Sequence, residues 1–109
     1  MESDPLAELA EVRRAYSARL PARLAELTAA IDDARMDAAL VPHAHMLAHR
    51  LGGSAGSYGH PAVGAAVEEI ERALHDALVH PARRDELLGD ALLEPLQRAQ
   101  AGVVAIVAR

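Results

Sequence analysis

With 109 residues, the chain has room for a single domain, 1–109, built around one hydrophobic core. It has no cysteine, which excludes disulfides and thiolate metal sites, and its net charge of −5 argues against a nucleic-acid partner. No apolar run approaches the length of a membrane span and the acidic N-terminus is unlike a signal peptide, so we expect a cytoplasmic protein with no membrane partner.

The core has few aromatic side chains available, because the chain lacks Phe and Trp and has only Tyr16 and Tyr58. A core of Ala, Leu, Val and Ile suits closely packed helices better than sheets, since strands favour β-branched and aromatic residues. The composition therefore predicts an all-α fold.

Apolar residues recur with a period of 3.6 and predict four helices. The first runs from about Leu6 to Arg35, and Pro21 predicts a kink or break in this helix near Leu20. Such a break would leave a short extra N-terminal helix ahead of the bundle. The second runs from about Asp37 to Ser57, and Pro42 allows a later start at His43.

The third helix opens at Pro61, a favourable first helical residue, and continues to about Val79. The fourth spans about Asp85 to Ala108, with a local distortion expected at Pro95. Because the connections are short, neighbouring helices should be antiparallel. We therefore predict an antiparallel, up-down-up-down four-helix bundle.

Glycines are concentrated around one histidine in the second helix. Each glycine inside a helix costs about 1 kcal/mol relative to alanine, so Gly52, Gly53 and Gly56 need a reason to be there. At about 100° per residue, His49 lies roughly 150° from the centre of the apolar stripe, on a face shared with His45 and these glycines. The pattern predicts an exposed imidazole on nearly bare backbone, open to another molecule.

Glu71, on the third helix, lies about 80° from that helix's apolar stripe and is the acid closest to the helix interface. If the second and third helices are antiparallel, its carboxylate can reach a ring nitrogen of His49. That contact would fix the tautomer of the imidazole and leave the other nitrogen more basic. A plain surface carboxylate is the alternative interpretation of Glu71.

The run Ala48-His49-Arg50-Leu51-Gly52-Gly53-Ser54-Ala55, with Gly59 closing the helix, resembles the Ala-His-x-Leu-Lys-Gly-Ser-Ser/Ala motif of histidine phosphotransfer (Hpt) domains. The similarity extends to 19–24 and to the third helix, so it covers most of the chain. It implies that His49 accepts the phosphoryl group and that Gly53 leaves room for a partner. Glu71 matches the spacing of the family's Glu or Gln that binds the histidine.

One residue departs from the family motif. Gly52 stands where many members have a lysine that offsets phosphate charge. Arg50 is the nearest cationic substitute, but it points about 100° away from His49 around the helix. The predicted binding surface thus comprises His45, Arg50, Gly52, Gly53 and Gly56.

The resemblance implies a phosphocarrier that relays a phosphoryl group through phospho-His49 in a two-component phosphorelay. The partners would be receiver domains of response regulators, a hybrid histidine kinase, or both, and we expect a monomer. The sequence has no nucleotide-binding fingerprint and no acidic cluster for Mg²⁺. We therefore expect no intrinsic kinase activity and no cofactor, with Mg²⁺ held by the receiver.

Two other interpretations remain open. The missing lysine at Gly52 is compatible with a helical interaction module that binds receiver or kinase domains without accepting phosphate. His45 and His49, four residues apart, have the spacing of a metal site but lack a carboxylate or third histidine on their face.

Packing of the three glycines against another helix is disfavoured, because they lie opposite the apolar stripe. No chemistry is assigned to the remaining histidines: His43, His60, His75 and His80.

Overall fold

The computed structural model describes residues 4–108, and this part of the chain contains no strand. The helices over these residues are α1 (Pro5–Met36), α2 (Val41–Ser57), α3 (Pro61–Val79), α4 (Arg84–Leu88) and α5 (Leu93–Val107). The four long helices form the bundle, and α4 is one short turn in the connection between α3 and α5. The predicted all-α four-helix bundle is confirmed.

Aliphatic side chains fill the core, and no polar residue is buried between residues 4 and 108. The side chains that are fully or almost fully enclosed are Leu20, Leu27, Ile31, Val63, Val67, Ile70, Leu74, Leu88 and Leu92. The buried residues of each long helix recur mostly at three- and four-residue steps, so each of these helices buries one stripe. Burial of these stripes supplies the main stabilising free energy of the bundle.

The two tyrosines join the middle of α1 to the C-terminal end of α2. Their rings are stacked with centroids 4.4 Å apart, and the Tyr16 hydroxyl hydrogen-bonds Ser54 Oγ at 2.7 Å. Beside them, Ser17 Oγ lies 2.7 Å from His60 Nε2. Tyr58 is half-buried against the core, and the buried Tyr16 ring has a partner for its hydroxyl.

Pro21 does not break α1, which is continuous from Pro5 to Met36, so the prediction of a break near Leu20 is wrong. The N-terminal residues extend α1 instead of forming a separate short helix. Leu20 and Leu24, on either side of the proline, are both buried. Burying each side chain contributes about 1.5–3 kcal/mol, which offsets the roughly 3 kcal/mol cost of an internal proline.

The second helix begins at Val41, after a 3-10 turn over Ala38–Leu40, and neither of its two predicted starts is found. The Asp37 carboxylate caps this turn by accepting a hydrogen bond from the Ala39 N–H at 2.9 Å. Pro42 lies in the first turn of α2, where a backbone N–H has no helical acceptor in any case. The proline therefore fits inside the helix.

The predicted fourth helix is interrupted at Gly89, between α4 and α5, and the local distortion predicted at Pro95 is not found. A Cβ on Gly89 would be 2.8 Å from the Asp85 carbonyl oxygen, so the chain requires glycine there. Arg35 Nε donates a hydrogen bond to the Leu88 carbonyl at the end of α4, at 2.6 Å. Pro95 is the third residue of α5, so its missing N–H falls in the first turn and disturbs nothing.

Helices α2 and α3 pack closely because three glycines meet at their crossing. A Cβ on Gly64 would lie 3.1 Å from both the Gly52 carbonyl oxygen and the Gly56 nitrogen. These are backbone atoms of α2, which a neighbouring side chain cannot displace without moving the helix. The absence of a side chain at Gly64 thus sets the distance between the two helices.

Gly64→Ala should lower the free energy of unfolding by roughly 1–3 kcal/mol, the usual cost of adding a methyl group to a packed site. Gly53→Ala is the matched control, because its Cβ would meet nothing within 4 Å. This control should raise the free energy of unfolding by up to about 1 kcal/mol through helix propensity. Urea denaturation followed by circular dichroism measures both, and equal changes would contradict the packing argument.

Candidate functional site

His49 lies on the outer face of α2, with 72% of its side chain exposed. Its neighbours Ala48 and Leu51 are buried and hold this stretch of α2 against the core. The helical rotation that buries them turns the imidazole toward solvent. The structure therefore places His49 on the exposed face expected from the sequence.

Glu71 approaches the same imidazole from α3. Its Oε1 lies 2.6 Å from His49 Nδ1, and the Glu71 side chain is 23% exposed. An ionised carboxylate can only accept, so Nδ1–H is the donor of this hydrogen bond. In the neutral imidazole the proton is then on Nδ1, and Nε2 has a free lone pair.

The two glutamates that precede Glu71 most closely on α3 point away from His49. Glu69 pairs with Arg98 on α5, and the hydrogen bonds that Arg98 donates to Glu94 and Glu69 raise the pKa of that arginine. The Glu68 side chain covers Gly52, with its Cγ 3.3 Å from the position of a Cβ there. Glu71 is thus the acid of α3 that is available to His49.

Two further histidines lie beside this pair. His45 Nε2 is 3.9 Å from the same Glu71 oxygen, and the rings of His45 and His49 are stacked with centroids 6.4 Å apart. The His75 ring centroid is 5.9 Å from that of His45. Sequence reasoning gave His75 no role, although its four-residue spacing from Glu71 on α3 mirrors that of His45 and His49 on α2. In antiparallel helices, such matched spacings bring both pairs together.

The three glycines of α2 do not share one environment. A Cβ on Gly53 or Gly56 would meet nothing within 4 Å, so both leave the surface near His49 open. Gly52, in contrast, is buried against α3, and a Cβ there would lie 3.6 Å from Val67 Cγ1. Its predicted place on the exposed patch is wrong, because α3 covers that flank of α2. Helix packing, disfavoured from the sequence, is the role of Gly52.

Arg50 is exposed and lies on the opposite flank of α2, toward α1. There it lines a cavity of about 250 Å³ together with Arg23, Glu26 and Leu47. This position agrees with the 100° offset from His49 expected from helix geometry.

The described residues, 4 to 108, contain no group of three or more His, Asp or Glu placed to hold a metal ion. Over the same residues, no helix is both long and apolar enough to cross a membrane.

The sequence model of the Hpt domain family matches residues 11–102. The chain belongs to the Hpt domain family. A search of curated proteins and a search of solved structures each found no match. Hpt domains carry phosphoryl groups on a histidine in two-component phosphorelays, as phosphocarriers and not as classical enzymes. They work with receiver domains and kinases.

In this Hpt domain, Glu71→Ala should reduce the population of the His49 tautomer protonated on Nδ1, because the variant lacks the carboxylate that accepts this proton. Two-dimensional NMR of the ¹⁵N-labelled imidazoles measures the tautomer directly. Glu68→Ala removes an acid of the same helix without touching His49 and should leave the tautomer unchanged. The same spectrum for both variants would show that Glu71 does not orient the ring.

Proposed function

We propose that this Hpt domain accepts a phosphoryl group on Nε2 of His49 from the aspartyl phosphate of a receiver domain, and returns it to a second receiver. Transfer from a hybrid histidine kinase is the other entry route of the same site. The observation that carries the proposal is an exposed imidazole whose Nδ1 is held by a carboxylate at 2.6 Å, so that Nε2 is the free nucleophile.

The lone pair of Nε2 would form a bond to phosphorus while the bond from phosphorus to the aspartyl oxygen breaks. The aspartate leaves as a carboxylate, so no proton has to move in this step. Attack gives the imidazole a positive charge, which the ionised Glu71 offsets through its hydrogen bond with Nδ1–H. The reverse reaction returns the phosphoryl group to an aspartate, which makes the domain a carrier.

Phosphoryl transfer depends mainly on positioning and on stabilising the transferred charge. In this proposal the domain contributes the nucleophile, the carboxylate that orients it and an open surface at Gly53 and Gly56. The domain needs no cofactor of its own, because the receiver brings the Mg²⁺ that neutralises the phosphoryl oxygens.

The direct test is incubation with a phosphorylated receiver domain and Mg²⁺. We expect an acid-labile, base-stable phosphate on His49, and His49→Gln should abolish it with no change in helicity. His43→Gln is the matched control, because it removes an exposed imidazole of the same helix outside the predicted site and should keep the label on His49. Label that survives in His49→Gln would refute the site. Receiver binding without any label would favour an interaction module that accepts no phosphate.

Gly53→Lys should lower the rate of phosphoryl transfer from the receiver by at least about tenfold. A long side chain four residues from His49 would occupy the surface that the partner must approach. Because a Cβ at this position meets nothing within 4 Å, we expect the variant to fold. Phosphoramidate, a small phosphoryl donor, should still label it. Gly53→Ala should behave as wild type, and equal transfer to Gly53→Lys would show that this surface is not covered by the receiver.

A further inference from the structure

A groove lined by three arginines runs between α1 and α2 on the flank of His49 opposite to Glu71. It consists of two adjoining cavities of about 250 and 400 Å³. Arg23 and Arg50 line the first, and Arg19 and Arg23 line the second, so that Arg23 joins them. We call this surface the arginine groove. Its apolar part includes Leu47 in the first cavity and Val12 in the second.

The arginines of the arginine groove form no ion pair within residues 4–108. Four other arginines in this part form ion pairs, namely Arg35, Arg83, Arg84 and Arg98. Among residues 4–108, no carboxylate oxygen lies within 4.0 Å of the guanidinium nitrogens of Arg19, Arg23 or Arg50, although Glu26 lines one of the cavities. Three unpaired guanidinium groups in a chain of net charge −5 are complementary to an anionic partner.

The groove has an apolar, partly aromatic floor. The Arg23 guanidinium carbon lies 5.9 Å from the centroid of the Tyr16 ring, within the range of a cation–π contact. This contact holds Arg23 beside Val12 and Tyr58, which line the same cavity. A segment that carries carboxylates next to apolar side chains would therefore complement both the arginines and the apolar residues of the groove.

The arginine groove adjoins His49 across an unobstructed strip. Around α2, Gly53 lies about 40° and Arg50 about 100° from His49 on the α1 side. Gly53 has no side chain, and the space above it is open. On the other side of His49 lies α3 with Glu71. The two flanks of the imidazole therefore carry opposite charges.

We propose that the arginine groove is the docking surface for a carboxylate-rich, partly apolar segment of the receiver domain. The inference rests on the proposed function, and it names the surface that selects and orients the partner. A receiver seated over His49 would cross Gly53 and place acidic side chains against the three guanidinium groups. The acidic flank formed by α3 would disfavour the reverse orientation through like-charge repulsion.

The test is the kinetics of phosphoryl transfer from a phosphorylated receiver to a groove variant in which Arg19, Arg23 and Arg50 are all changed to Gln. We expect KM to rise about tenfold, since exposed charge pairs each contribute a factor of about two to three. The value of kcat should be unchanged. The dependence of KM on salt concentration should become flatter than in the wild type.

The matched control changes Arg13, Arg14 and Arg72 to Gln, which alters the net charge equally outside the groove. These residues are exposed, and no ion pair involves them within residues 4–108. The control should raise KM less than twofold. Equal increases in the groove variant and the control would overturn the proposal, because they would indicate a general effect of net charge.

Failure of the proposed function is detected separately, by labelling the wild-type chain with phosphoramidate. If neither donor labels His49, the phosphotransfer proposal fails. The groove is then judged by calorimetric binding of the unphosphorylated receiver, which the groove variant should weaken about tenfold. Unchanged binding would overturn the docking surface. If the groove variant does not fold, Arg50→Gln alone decides the question, with an expected two- to threefold change.

Discussion

The hydrogen bond between His49 and Glu71 depends on how closely α2 and α3 approach. At their crossing, Gly64 meets the backbone of Gly52 and Gly56, and no side chain separates the helices. This close approach of the two helices brings the Glu71 carboxylate within 2.6 Å of His49 Nδ1. A larger residue at the crossing would move α3 outward and lengthen that hydrogen bond. Packing of the bundle and orientation of the His49 imidazole thus depend on the same glycines.

The surroundings of His49 are asymmetric, and the asymmetry follows from which helix lies on each side. The flank toward α3 is acidic and closely packed, since Gly52 is buried there and the Glu68 side chain covers it. The flank toward α1 is basic and has cavities lined by arginines. Between them, Gly53 leaves the backbone open. A carrier has little chemistry of its own to perform, so control over the approach of a partner is the main contribution that its surface can make.

Local signals in the sequence predicted the elements better than their interruptions. The limits of α3 agree with those predicted, because a proline at its first position and an apolar stripe define it unambiguously. Pro21 and Pro95 were misleading, since tertiary burial and position in the first turn remove the cost of each proline. The exposure of His49 followed from helix geometry alone. The burial of Gly52 and the place of His75 did not, because both depend on the direction from which α3 packs, which a single sequence does not specify.

The continuity of α1 has a mechanical consequence. The helix has 32 residues, about 48 Å at 1.5 Å per residue, whereas α2 has 17, about 26 Å. The first eleven residues of α1, 5–15, are all exposed, and the molecule is 59 Å long. The same continuous helix carries Arg19 and Arg23 of the arginine groove, one and two turns after this exposed segment. Tilting of the exposed N-terminal part of α1 would therefore also move Arg19 and Arg23, and would change the width of the arginine groove.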